Sequence, residues 1–183
     1  MLRLASSSKM TREKADTPYL FTNIRQPVTD YLVIPSVSSE RRRYVPIGYL
    51  DSNTIATNLV LIVPDAELYH FAVLTSNVHM AWMRAFGGRL KSDYRYSGKI
   101  VFNNFPWPEL DEEYRTILIR SGQEILKARE KYPDASLADL YDELTMPSEL
   151  RKAHRENNKA VMNAYGFDLQ MTEAECVAAL MNL

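Results

Sequence analysis

The sequence predicts an α+β protein: a small, twisted, mostly antiparallel sheet with two central helices, followed by an α-helical C-terminal region. Three observations carry that expectation. Short β-branched runs, separated by Pro, Gly, Ser and Asn, occupy residues 31–63. Apolar residues then recur at helical spacing over 66–86. Beyond Phe105-Pro106-Trp107-Pro108 the pattern is helical to the end. With 183 residues, 46% of them hydrophobic, the chain suits one medium domain, or a domain with a helical appendage, around a real core.

Residues 1–17 read as an irregular arm without a hydrophobic period, and their abrupt, polar opening resembles the interior of a longer chain. The runs YLVIP (31–35), RYVPIGYL (43–50) and NLVLIV (58–63) read as strands, with Pro35 and Pro46 at strand ends or edges. Asp65 is placed to cap a helix through residues 66–74, and Ser76 to cap a second. In that second helix Val78, Ala81, Trp82 and Ala85 form one apolar face, and Gly87-Gly88 ends it. DYRYS and KIVFNNF read as a last pair of strands around Ser97-Gly98. The two closely spaced prolines at 106 and 108 suit neither a helix interior nor a central strand. A long helix follows over about 111–131, with Tyr114, Ile117, Leu118, Ser121, Ile125 and Ala128 on one face. Ser136 with Asp139 and Thr172 with Glu175 have capping-box spacing, and a helix from Pro147 to Tyr165 stops at Gly166. The expected divisions are an arm at 1–17, a sheet-bearing domain at 18–108 and a helical region at 109–183.

The net charge of −1 conceals an asymmetry. Residues 1–108 hold 13 Lys/Arg against 8 Asp/Glu, whereas residues 109–183 hold 9 against 15. A basic half can meet phosphates and an acidic half is repelled by them, so the C-terminal region is expected to face away from a polyanion and to brace the sheet or dock on a neighbouring domain. The longest clean apolar stretch, Leu59–Val63, is too short to span a bilayer, and residues 1–19 have no secretory apolar core. The single Cys176 fits a reducing cytoplasm.

Catalytic patterns are missing. His70, His79 and His154 have no metal-ligand spacing, and no phosphate-cradling glycine loop or G-x-S-x-G occurs. No Lys follows an acidic residue by two positions, as PD-(D/E)xK nuclease chemistry needs. No Pro-Pro supplies the clamp of an amino-methyltransferase. Binding chemistry is better represented. Ser38, Ser39, Arg41, Arg42 and Arg43 join two expected strands; Arg pairs bidentately with guanine or phosphate, and Ser donates to phosphate. Arg89, Lys91, Arg95 and Lys99 alternate with Tyr94 and Tyr96, a pattern suited to a nucleic-acid backbone, although a charge-guarded edge strand has the same look. Thr75 and Asn77 flank a helix start, from which side chains commonly reach base edges.

Two long stretches make the pattern specific. RQPVTDYLVIPSVSSERRRYVPIGYL, then YHFAVLTSNVHMAWMRAFGGRLKSDYRYSGKIVFNNFPWP, resemble the target recognition domain of MmeI-like DNA methyltransferases, single-chain type IIG/IIL restriction–modification enzymes of bacteria. The segment from Ile125 to Phe167 is similar to the C-terminal part of the same enzymes. The resemblance implies that 18–108 is a DNA target recognition domain. It also implies that the S-adenosylmethionine-dependent adenine-N6 methyltransferase domain, and in many members a nuclease domain, lies elsewhere in the polypeptide. No catalytic, cofactor or metal residue is then expected here. By segment position Arg42, Arg43, Thr75 and Asn77 are expected to read bases. Ser38, Ser39, Arg41, Arg89, Lys91, Ser92, Tyr94, Arg95 and Tyr96 are assigned to the DNA backbone, with Ser92, Tyr94, Arg95 and Tyr96 fixing either that backbone or the fold. The rival expectation is a protein–protein interaction module whose arginine loop binds an acidic partner.

Overall fold

The computed structural model of the protein describes residues 4–17, 19 and 26–183, so the expected domain start at Pro18 lies outside the described residues. Within the N-terminal arm a short helix, α1 (Lys9–Glu13), is capped by Ser8 and buries nothing. The fully irregular arm is therefore corrected to one containing a helical turn.

Two three-stranded antiparallel sheets follow. In the first, β1 (Tyr31–Pro35) lies between β3 (Gly48–Leu50) and β4 (Val60–Pro64). Leu32 faces Tyr49 on one side and Val63 on the other. Because β1 is central, Tyr31, Leu32 and Ile34 are all sealed, which explains a nearly continuous apolar run rather than an alternating one. In the second sheet β6 (Asp93–Arg95) lies between β2 (Val37–Ser38) and β5 (Gly88–Leu90). Ser36 alone separates β1 from β2: its N–H donates to the Leu59 carbonyl at 3.0 Å and its carbonyl accepts the Tyr96 N–H at 2.9 Å. One residue thus couples the two sheets.

Helices α2 (Leu68–Leu74) and α3 (Asn77–Phe86) sit between the second-sheet strands in sequence and supply much of the core. Ser76 caps α3 by accepting the His79 N–H. Asp65 does not cap α2. Its φ of 53° turns the chain between β4 and the helix, its carboxylate accepts the Thr29 hydroxyl at 2.7 Å, and Glu67 occupies the cap, with His70 Nδ1 accepting the Glu67 N–H. The expected strand at 99–105 is a π-helical turn, Gly98–Phe102. Side chains capture its carbonyls: Asn104 Nδ2 donates to Lys99 and Ile100, and the Trp82 indole donates to Val101 at 3.1 Å, leaving them unavailable to a ladder.

The C-terminal region forms α4 (Glu112–Glu130), α5 (Leu137–Leu140), α6 (Ser148–Ala164) and α7 (Glu173–Leu180). Both capping boxes form, and Gly166 takes the left-handed φ of 70° that ends α6. Helix α4 packs on α2 and α6, and α7 packs on α3. Gly122 permits a close approach of α4 to α2, since a Cβ there would lie 2.9 Å from the Leu68 carbonyl oxygen. Leu118, Ile125, Leu150 and Val161 share one core with Phe71, Leu74 and Met83, so the acidic region braces the helices of the basic half. Each such large buried apolar side chain stabilises the fold by roughly 1.5–3 kcal/mol.

Candidate nucleic-acid interface

The two basic segments meet on the second sheet. Directly paired residues share a face, so Ser38, Tyr94 and Arg89 point one way, and Val37, Arg95 and Gly88 the other. Ser38 and Tyr94 are buried, which places the first face on the core. Arg89 lies along it with its guanidinium 3.9 Å from the Tyr94 ring centroid, donates to the Ser92 carbonyl at 2.8 Å and sits 3.9 Å from Glu40. The opposite face is open. Arg95 projects from its central strand between Val37 and side-chain-free Gly88, and all three are exposed. At the tight β5–β6 turn, Lys91 and Ser92 are exposed, and Lys91 holds a left-handed φ of 58°.

Beside this hairpin, residues 39–43 leave β2 as a compact turn. Ser39 accepts N–H groups from Arg41 and Arg42 through its hydroxyl and carbonyl, and Asp93 accepts the Glu40 N–H at 3.3 Å. Arg41 and Arg43 are exposed and Arg42 is half-buried. Arg41 and Arg42 line a polar cleft together with Ser39, Ser92 and the carboxylates of Glu40, Asp93, Asp142 and Glu143. Among the described residues, Arg41, Arg42, Lys91 and Arg95 form no ion pair, whereas Arg84 pairs with Glu173 and Arg115 with Glu67. Lys99 is exposed on the π turn and belongs to neither hairpin strand.

Several expected contacts are corrected. Thr75 is fully buried and its hydroxyl donates to the Phe71 carbonyl at 2.7 Å, so no base edge can reach it. Asn77 is covered by α6: its N–H donates to Asn158 Oδ1 at 3.0 Å, its amide nitrogen lies 3.4 Å from Met162 Sδ, and its own Oδ1 is sealed. A helix start is open to a ligand only if no other helix takes it, and here α6 does. Ser38, Tyr94 and Tyr96 are buried as well. The Tyr96 hydroxyl is 2.8 Å from His79 Nε2, so these three side chains support the surface from below and do not meet a backbone phosphate.

Beneath the arginine turn lies a polar frame of residues unmarked by any sequence motif. Buried Arg129 donates to the Ile47 carbonyl at 2.8 Å and through two nitrogens to the Tyr141 hydroxyl, with the Phe71 ring 5.0 Å away. Since that hydroxyl oxygen accepts from the guanidinium, its proton points to His154 Nε2 at 2.7 Å, which places the imidazole proton on Nδ1. Burial, reinforced by the Arg129 charge, pushes His154 down to about 3; burial alone does the same to His79. His154 stacks on Tyr44 at 4.2 Å. Asn157 links the Ser121 hydroxyl to the Ala72 carbonyl. The helical spacing of Leu150, His154, Asn157 and Val161 was the available signal, because it places two polar side chains in a buried stripe.

Fold and surface together define an α+β module whose helically braced core supports a small sheet and turn rich in unpaired cations. The chain belongs to the MmeI family: residues 1–109 match the MmeI target recognition domain and residues 113–183 the MmeI C-terminal domain. It is 39% identical over 181 residues to DNA methyltransferase A of Bacillus subtilis (strain 168), a match covering 99% of this chain and 20% of that protein. It is also similar to the type IIL restriction–modification enzyme MmeI, solved in complex with DNA, with a TM-score of 0.88 and 49% identity over 98% of this chain and 24% of that one. The chain therefore spans about a fifth to a quarter of the length of these relatives. Among the described residues no helix is long and apolar enough to cross a membrane.

Proposed function

We propose that this chain reads double-stranded DNA on behalf of a larger S-adenosylmethionine-dependent adenine-N6 methyltransferase, supplying recognition while the chemistry resides in a methyltransferase domain of the same polypeptide. The observation that carries this reading is the presence of Arg41 and Arg42 on the turn after β2, Lys91 on the β5–β6 turn and Arg95 on the open sheet face, none ion-paired among the described residues. The name of the Bacillus subtilis relative and the DNA in the MmeI structure support it. Lys91 and Arg95, with Ser39, Arg41 and Ser92, meet phosphates and set the register. Arg42 and Arg43 present guanidinium forks to base edges, each good bidentate pair discriminating by about 1–3 kcal/mol.

Binding to a random-sequence duplex should fall steeply with salt, because each neutralised phosphate releases a counterion. Arg95→Ala should lower affinity for all sequences alike and reduce the slope of log K against log salt by about one. Binding that ignores salt, or an unchanged slope in Arg95→Ala, contradicts this placement of the backbone contacts.

A further inference from the structure

We infer that Asn158 of α6 is a positioning residue for the arginine turn, acting through Tyr44, so that the C-terminal region sets the geometry with which the basic face reads DNA. This inference rests on the proposed recognition function.

The turn is fastened differently at its two ends. At its start, the Glu40 N–H on Asp93 and the Ser39 contacts tie it to its own sheet. Among the described residues the side chains of Arg41 and Arg42 make no hydrogen bond, so the middle of the turn is held by its two backbone N–H bonds to Ser39. At its far end Tyr44, next to Arg43 and 2% exposed, is gripped by α6: its ring stacks on His154 with an interplanar angle of 20°, and its hydroxyl accepts from Asn158 Nδ2 at 2.8 Å. The neighbouring Arg43 carbonyl accepts from Arg84 at 3.3 Å, and Arg84 is itself paired with Glu173 of α7.

Asn158 has a second partner. Its Oδ1 accepts the Asn77 N–H at the start of α3, so one amide joins the end of the turn to a helix of the core. An amide serves here where neither an acid nor an amine would: the Asn77 N–H requires an acceptor, and the Tyr44 oxygen receives a donor. Arg43 can hold a fixed angle to a base edge only if the residue beside it is fixed, and Asn158 is the side chain that joins that residue to both helices. The acidic region, then, need not touch DNA to influence which sequence is chosen.

The test uses this chain, with Asn158→Leu removing both hydrogen bonds at similar volume and Tyr44→Phe removing the hydroxyl while keeping the ring stack. Selection from a random duplex pool should show Asn158→Leu losing about tenfold in preference for the enriched sequence over random duplex, with its salt slope unchanged. Tyr44→Phe should show a smaller loss in the same direction. Amide hydrogen exchange at residues 40–43 should quicken in both variants while that of α4 stays constant. Unchanged preference together with unchanged exchange at 40–43 overturns the inference. Where Asn158→Leu fails to fold, Tyr44→Phe decides by the same two readouts. Should the unaltered chain enrich no sequence at all, the recognition reading fails, and exchange at 40–43 still decides whether Asn158 positions the turn.

Discussion

Taking the protein from pH 7.5 to pH 5 should cost the fold about 4 kcal/mol, about 2 kcal/mol for each of two sealed imidazoles. His79 and His154 are wholly buried and held down to about 3, mainly because burial penalises the charged ring. An unfolded histidine takes up a proton near pH 6.5, whereas these folded ones resist protonation until about 3. Between those values the unfolded chain binds more protons, so stability that is complete above 6.5 drains away as pH falls. His70, half-buried and also lowered by burial, adds a smaller loss of the same sign. Asp139, Glu149 and Glu175, lowered by hydrogen bonds at their helix starts, begin to contribute only in the carboxylate range further down. Urea midpoints at the two pH values measure the effect. His79→Phe should be less stable at neutral pH, having lost the Tyr96 bond, yet show about half the pH dependence; an equally steep dependence would refute the assignment to these rings.

Arg129→Met should destabilise the protein by about 2–4 kcal/mol. The guanidinium has no carboxylate partner among the described residues, so its charge is held by the Ile47 carbonyl, the Tyr141 hydroxyl and the faces of Phe71 and Tyr141. Removing it orphans a carbonyl and half-satisfies a hydroxyl, each costing about 1–3 kcal/mol, while relief of the buried charge returns part of that. Met fills a similar volume and isolates the polar loss from a cavity. A denaturant midpoint within about 0.5 kcal/mol of the unaltered protein would show that Arg129 is a solvated edge residue and not the centre of the frame.

The elements that the sequence marked well were those with local causes. The caps at Ser76, Ser136 and Thr172, the stop at Gly166 and the long helix around Leu118 and Ile125 depend on residues within a few positions of each other. What was illegible depended on partners far away. Asn104 and Trp82 convert an apolar run at 98–102 from strand to π turn by taking its carbonyls. Asn158, in an apparently solvated polar stretch, closes the helix start where Thr75 and Asn77 would otherwise face a ligand. For the same reason Tyr94 and Tyr96, which alternate attractively with Arg and Lys in the sequence, are core residues: pairing with β2 and β5 turns their faces inward and leaves Arg95 outward. The charge asymmetry identified the basic half, and the strand register decided which of its cations are free.

The central claim is that the open face of the second sheet and the turn beside it contact duplex DNA. Amide hydrogen exchange of the chain with and without a short random-sequence duplex tests it directly. Protection should centre on residues 39–43 and 88–95 and weaken as salt rises. Protection centred on the exposed faces of α4 and α7, with the β5–β6 hairpin unaffected, would contradict it.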